Sequence, residues 1–192
     1  MKKLIYLFLF AFIATTAFVA CDDDDESSTP FKTVTLGAQD NTTIGGFYSI
    51  VNDQVYSLED AFANQEMIDF LCFYELTETH ENYTTIASPG ANIKEIFAGD
   101  YDFANWDTTK TTYLYQLEET VFTPAQFDAL TETDAIIESL YDAENAKRKA
   151  KDLKVDDIYA FQTEDGAYGI FKVIAVTPGE DGLVEFKYII KE

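Results

Sequence analysis

The sequence has few of the residues that build common catalytic and metal centres. Its 192 residues include one histidine and two cysteines. Zinc sites and Cys/His dyads need several such side chains close together, so the composition argues against both. The sequence also contains no Gly-x-Ser-x-Gly, no phosphate-binding glycine loop and no His-Glu-x-x-His. We therefore expect no metal, no cofactor and no catalytic residue that sequence alone can name.

Basic residues are also scarce. Thirteen lysines and arginines face 35 acidic residues, which gives a formal net charge of −22. Such a chain repels nucleic acid and anionic lipid head groups, so neither is an expected partner. Aromatic residues, by contrast, make up 15% of the chain, which argues against extensive disorder and for a packed core.

Residues 1–20 have the layout of a bacterial secretory signal. A basic start, Met1-Lys2-Lys3, precedes an apolar run that ends in small residues at Ala20. The alternative is a transmembrane anchor. However, the run is short for a bilayer about 30 Å thick, and acidic rather than basic residues follow it. We therefore predict a cleaved leader.

Cys21 lies directly after the predicted cleavage point. The segment Phe18-Val19-Ala20-Cys21 resembles the lipobox of bacterial lipoproteins, which prefers Leu where this chain has Phe18. The resemblance implies that the sulfur of Cys21 carries a diacylglycerol, so the partner it predicts is a membrane. At about 0.8 kcal/mol per buried CH₂, two or more acyl chains anchor a protein stably. The alternative is an unmodified thiol.

Five carboxylates follow the lipobox, Asp22, Asp23, Asp24, Asp25 and Glu26. Like charges repel, so residues 21–30 are expected to form a lipidated, extended tether. Acidic residues in this position also resemble the export signal of Bacteroidota surface lipoproteins. The resemblance implies display on the outer face of the outer membrane, and the periplasmic face is the alternative.

Residues 31–192 are expected to form a single domain of the α+β class. The predicted sheet is mixed or antiparallel, and it ends in a three-stranded antiparallel meander from Asp157 to Ile190, because turn residues separate its β-branched runs. Residues 47–56 predict a hairpin. The apolar run Ile68–Tyr74 predicts a central strand covered on both faces, which makes Cys72 a core thiol.

Three to four helices are expected to pack on this sheet. Their predicted starts are Ser57, Ser88, Thr123 and a position near Thr133. The last of these helices is expected to continue into the basic run Lys147–Lys151.

Several segments of this domain are similar to small, uncharacterised surface lipoproteins of Bacteroidota. The similarity lies in turns and strands and brings no catalytic residues with it. The segments are Gly37-Ala38-Gln39, Gly46-Phe47-Tyr48-Ser49, Ile68-Asp69-Phe70, Ala87-Ser88-Pro89 and Asp157–Phe161 through Tyr168-Gly169-Ile170.

An aromatic and acidic stretch is the first candidate for a ligand site. Its members are Tyr101, Asp102, Phe103, Trp106 and Asp107. Rings beside carboxylates suit a carbohydrate, because a ring stacks on the sugar face while polar groups bind hydroxyls. The alternative is that Phe103 and Trp106 fill the core beneath a loop.

Two further features have competing interpretations. Loop carboxylates, either Asp100, Asp102 and Asp107 or Glu180 and Asp181, are candidate calcium ligands or simply solvated acids. The basic run Lys147–Lys151 is a candidate binding patch or a helix end whose cations suit the helix dipole.

Two function classes follow from these features. The first is a lipid-anchored, non-catalytic binding or accessory module at the outer-membrane surface, with a glycan or another envelope protein as partner. The second is a carboxylate-based hydrolase such as a glycosidase, which needs two carboxyl groups about 5–10 Å apart in a cleft.

Substitution of Cys21 tests the lipid anchor. Cys21→Ala removes the sulfur that would carry the acyl chains, so the protein should leave the membrane fraction. Detergent phase partitioning of the wild-type and variant proteins measures this. An unchanged distribution would defeat the lipoprotein prediction.

Overall fold

The computed structural model describes residues 30–76, 83–93 and 96–192. These residues form ten strands and three short helices. The strands are β1 (Lys32–Gly37), β2 (Phe47–Ser49), β3 (Gln54–Tyr56), β4 (Phe70–Glu75), β5 (Tyr83–Ala87), β6 (Tyr113–Leu117), β7 (Lys149–Ala150), β8 (Ile158–Gln162), β9 (Tyr168–Thr177) and β10 (Leu183–Ile190). The helices are α1 (Leu58–Ala63), α2 (Pro124–Asp128) and α3 (Ile136–Ser139).

The strands form two five-stranded sheets in which all neighbours are antiparallel. The C-terminal sheet has the order β1-β10-β9-β8-β6, and the N-terminal sheet has the order β3-β2-β4-β5-β7. The predicted meander is present as β8, β9 and β10. The predicted hairpin is present as β2 and β3, and β4 is the central strand of its sheet.

The two sheets pack face to face around a shared core. Phe70 of β4 lies at its centre, and its ring meets three phenylalanine rings of the C-terminal sheet edge-on. The ring centroids lie 5.2 Å from that of Phe161 and 6.1 Å from those of Phe171 and Phe186. All four side chains are fully buried, so this contact joins the sheets.

The outer faces of both sheets are covered as well. On the N-terminal sheet, α1 and residues of the segments 91–93 and 97–106 contribute to a cluster around Leu71 and Phe73. On the C-terminal sheet, Phe127 of α2 and Ile137 of α3 pack in a cluster with strand residues of β8, β9 and β10. Strand β4 is therefore buried on both faces, which explains its continuous apolar sequence.

Backbone hydrogen bonds connect the two sheets at their edges. Lys147 and Leu114 exchange bonds of 2.6 and 2.7 Å between β6 and the residues before β7. At the opposite side the Gly37 N–H donates to the Gly45 carbonyl at 3.0 Å. A Cβ atom on Gly37 would lie 2.4 Å from the Ile44 carbonyl oxygen, so this approach requires glycine. These bonds pair backbone N–H and C=O groups at the sheet edges that would otherwise have no strand partner.

The predicted α+β class is wrong. The described chain is mostly β, with two packed sheets rather than one sheet under several helices. The helices are short because the second sheet, rather than a helical layer, covers most of the inner face of the first. The sequence patterns indicated most of the strands, but they missed β5 and β7 and did not indicate that the strands divide into two sheets.

Two of the predicted helix starts are confirmed. The Ser57 hydroxyl oxygen accepts a bond from the Asp60 N–H at 3.1 Å and caps α1. Thr123 and Gln126 form a reciprocal capping box at the start of α2. Both signals are local, so they hold whatever the sheet arrangement.

Of the other two helix predictions, the one at Ser88 is wrong, and the one near Thr133 is right only for the short helix Ile136–Ser139. Residues 89–92 form turns, because Ser88 binds strand-connecting backbone instead of capping a helix: its hydroxyl donates to the Lys110 carbonyl at 2.7 Å and accepts from the Thr112 N–H at 2.8 Å. The helix expected from Thr133 to Lys151 ends at Ser139. Further along, Ala150 pairs with Ile86 of β5, so this segment is an edge strand.

Truncation of Phe70 tests the contact between the sheets. Phe70→Ala should lower the free energy of unfolding by about 3–5 kcal/mol, because it leaves a cavity among three buried rings. Val51→Ala is the control, since Val51 is 71% exposed, and it should change stability by less than about 0.5 kcal/mol. Denaturant unfolding measures both, and equal effects would contradict this account of the core.

Candidate functional site

Residues 99–107, which we call the aromatic loop, lie over the outer face of the N-terminal sheet. The rings of Phe103 and Trp106 stack with centroids 4.3 Å apart and planes 13° apart. The indole N–H of Trp106 donates to the Tyr101 carbonyl at 3.1 Å. Trp106 is 8% exposed and Phe103 is 9% exposed. Both rings therefore fill a core beneath the loop, and Phe103 covers one face of the indole.

The two carboxylates of the aromatic loop that were predicted to bind a ligand differ in their surroundings. Asp102 accepts a bond from the Ala104 N–H at 2.7 Å and so caps the short turn that holds Phe103. Asp107 is exposed, and Tyr101 packs against Phe62 with ring centroids 5.4 Å apart. All five predicted residues lie in the aromatic loop, and ligand binding by them stays a prediction.

A pocket of about 380 Å³ opens beside the aromatic loop. Phe103 and Trp106 form one part of its wall, and Asn92 and Arg148 form another. The Arg148 guanidinium donates to the Gly90 carbonyl, which fixes the cation at the rim. Sequence reasoning did not place Arg148 beside the aromatic loop, because this segment was expected to be a helix end. In the structure the neighbouring residues Lys149 and Ala150 pair with β5.

A buried ion pair fixes the chain just after the aromatic loop. The Lys110 Nζ lies 2.9 Å from Asp69 Oδ1 and 2.7 Å from Asp165 Oδ2. Burial lowers the pKa of Lys110, but its bonds to Asp165 and Asp69 outweigh burial and raise that pKa overall. The other oxygen of Asp69 accepts from the Ile50 N–H at 2.8 Å. No local pattern marked this pair, since its members lie far apart in sequence.

A second pocket, of about 430 Å³, is acidic. Glu118, Glu119, Asp156 and Asp157 contribute to its wall. Burial raises the pKa of Asp157, as in carboxyl groups that act as catalytic acids. The Asp157 carboxylate, however, accepts from the Lys154 N–H at 2.8 Å and closes a turn. Its four carboxylates make this pocket a candidate place for the carboxylate-based hydrolase, and sequence reasoning did not single it out.

The remaining predicted residues have clear positions or lie outside the described chain. Cys72 is fully buried, and burial raises its pKa to about 12, so it is a core thiol as predicted. In residues 30–76, 83–93 and 96–192, no three His, Cys, Asp or Glu side chains converge as metal ligands would. Cys21, residues 22–26 and His80 lie outside those ranges. No helix in the described parts of the chain is long and apolar enough to cross a bilayer.

Comparison with solved structures shows a similar fold in a protein from the Bacteroidota. A DUF4466 family protein from Parabacteroides merdae superposes with a TM-score of 0.54 at 13% sequence identity. The match covers 84% of this chain and 54% of that protein, so the chain spans about half of its length. At this identity the likeness concerns the fold alone. No family model and no curated protein matches the chain.

The single tryptophan reports on the aromatic loop. Because the indole of Trp106 is stacked and buried, its fluorescence should be blue-shifted relative to the unfolded chain and poorly quenched by acrylamide. Phe103→Ala should expose the indole and increase quenching, whereas Tyr113→Ala, at an exposed site, should leave it unchanged. Strong quenching of the wild-type protein would show that the indole is accessible, as stacking on a sugar requires, and would contradict this description of the loop.

Proposed function

We propose that this protein is a lipid-anchored cell-envelope protein whose β domain is a non-catalytic binding or accessory module at the outer-membrane surface. The observation that carries the proposal is Cys21 at the end of a segment that resembles a lipobox, followed at once by five carboxylates. The fold likeness to a Bacteroidota protein supports the same bacterial group. It adds no statement about activity.

The start of the domain fits attachment through a tether. Phe31 stacks on Phe127 of α2 with ring centroids 4.9 Å apart. The Lys187 ammonium lies 5.1 Å above the Phe31 ring. These contacts fix the chain at the outer face of the C-terminal sheet. An extended segment of nine residues, such as 22–30, spans about 30 Å, so it would hold the domain clear of the lipid.

The state of the candidate catalytic groups supports binding over catalysis. The Cys72 thiol is buried with a raised pKa, so it is inaccessible and protonated at neutral pH. The Asp157 carboxylate is engaged with turn backbone. A hydrolase in the acidic pocket is the alternative, and Asp157→Asn would abolish its activity if Asp157 were the acid.

The ligand classes are a glycan and a partner protein. Stacking on a sugar requires an open ring face, and Phe103 covers one face of Trp106. Because Trp106 is also only 8% exposed, the aromatic loop does not favour sugar stacking, and a glycan would bind elsewhere on the domain.

Protease treatment of intact cells tests surface display. In a Bacteroidota host, protease added to intact cells should degrade the wild-type protein. A variant with residues 22–26 replaced by serine keeps Cys21, so it should stay in the membrane fraction but resist protease until lysis. Immunoblotting of treated and lysed cells measures both. Protection of the wild-type protein until lysis would place it on the periplasmic face instead.

A further inference from the structure

Residues 147–149 are an exception among the cations of this acidic chain. Of the nine lysines in the described ranges, seven have a carboxylate oxygen within 3.0 Å. Lys147 and Lys149 have no such partner among the described residues, and Arg148 donates to a backbone carbonyl. Since acidic residues outnumber basic ones almost threefold, unpaired cations at consecutive positions need a separate explanation.

A helix dipole does not explain these cations. The basic run was expected at a helix end, where positive charge is stabilised. In the structure Lys149 pairs with Ala87 of β5, and Lys147 bridges to Leu114 of β6. Successive side chains of an extended chain point to opposite sides. Lys149 lies over Phe73 and Lys151 pairs with Glu75, two alternate residues of β4, so the ammonium groups of these two lysines share one side of the edge strand.

The three lysines of the run Lys147–Lys151 line a pocket of about 360 Å³ at the junction of β6 and β7. Tyr115 of β6, with Gln116 and Asn145, provides hydrogen-bonding groups in the same wall. The volume lies in the lower part of the range typical of small-molecule sites. The pocket thus combines cations with aromatic and amide groups.

The unpaired charge in this pocket comes from two of the lysines. Lys151 is paired with Glu75 at 2.8 Å. Lys149 is half-buried, and its ammonium lies 5.3 Å from the centroid of the Phe73 ring. Burial lowers the pKa of Lys149, Glu75 opposes this, and Lys151 and Arg148 lower the pKa further. A half-buried charge without a carboxylate in ion-pair contact is unfavourable, and an anion in the pocket would supply that contact.

We propose that this pocket binds a small organic anion, a carboxylate or sulfate group carried on a body the size of a monosaccharide. Lys147 and Lys149 contact the anionic group, and Tyr115, Gln116 and Asn145 contact the neutral body. The ligand is small because the net charge of −22 repels polyanions at a distance. This inference deepens the proposed binding role and rests on it, but it does not depend on the lipid anchor.

Ligand-observed NMR titration of the full chain in detergent tests the proposal. The probes are glucuronate and glucose 6-sulfate, with glucose as the neutral control and inorganic sulfate as the control without a sugar body. At least one acidic sugar should bind saturably and about tenfold more tightly than either control, because it alone engages both parts of the pocket. Which acidic sugar binds more tightly distinguishes a carboxylate from a sulfate ligand.

Lysine variants place the binding in this pocket. Lys149→Gln and Lys147→Gln should each weaken binding about ten- to hundredfold, the loss expected for one charged hydrogen bond. Lys154→Gln is the matched control, since Lys154 is exposed, pairs with Asp152 and is not part of the pocket wall. It should bind as the wild-type protein does. Thermal unfolding of each variant verifies that it is folded.

Four results would overturn the proposal. They are no saturable binding of either acidic sugar, equal binding of glucose, equal binding of inorganic sulfate, and an equal loss in Lys154→Gln and Lys149→Gln. A protein that binds an acidic sugar but leaves the membrane when Cys21 is intact would refute the anchor alone. Failure of the anchor and failure of the ligand site are therefore separate results.

Discussion

The need to bury both faces of two sheets organises the described part of this protein. Strand β4 carries the constraint most clearly, because Phe70 points into the core between the sheets and Leu71 points to the opposite face. The inner face is satisfied by the other sheet. The outer faces need covers, and α1, the aromatic loop, α2 and α3 provide them. Short helices suffice because each covers one patch.

This use of the loops determines where binding groups can lie. The aromatic loop covers the N-terminal sheet, so the side chain of Trp106 is largely buried. Accessible polar groups remain instead at the junction where β6 meets β7. Only two backbone hydrogen bonds join the sheets at Lys147 and Leu114, and the side chains around them line an open pocket. In this fold the junction of β6 and β7 offers open surface for a ligand, as do the acidic pocket and the pocket beside the aromatic loop.

Because acidic residues are in excess, most of the described lysines form ion pairs, and several of these pairs connect distant segments of the chain. Lys110 joins Asp69 to Asp165, and Asp128 of α2 receives both Lys172 and Lys187. Pairs of this kind connect segments that are distant in sequence, and a buried pair is costly to break because one charge is left alone. Pairing is the default where carboxylates are abundant. Lysines that escape it are therefore informative about function in a way that lysines of a neutral protein are not.

The sequence by itself determined the features that depend on neighbouring residues. The caps at Ser57 and Thr123, the hairpin of β2 and β3 and the C-terminal meander are of this kind, because turn and capping bonds form within a few residues. Tertiary structure alone decided that Lys149 lies in a strand, that Ser88 binds a distant loop and that two sheets share the core. The backbone groups of a short segment can bond within a helix or to an adjacent strand. Which of these wins depends on a partner brought there by the rest of the chain.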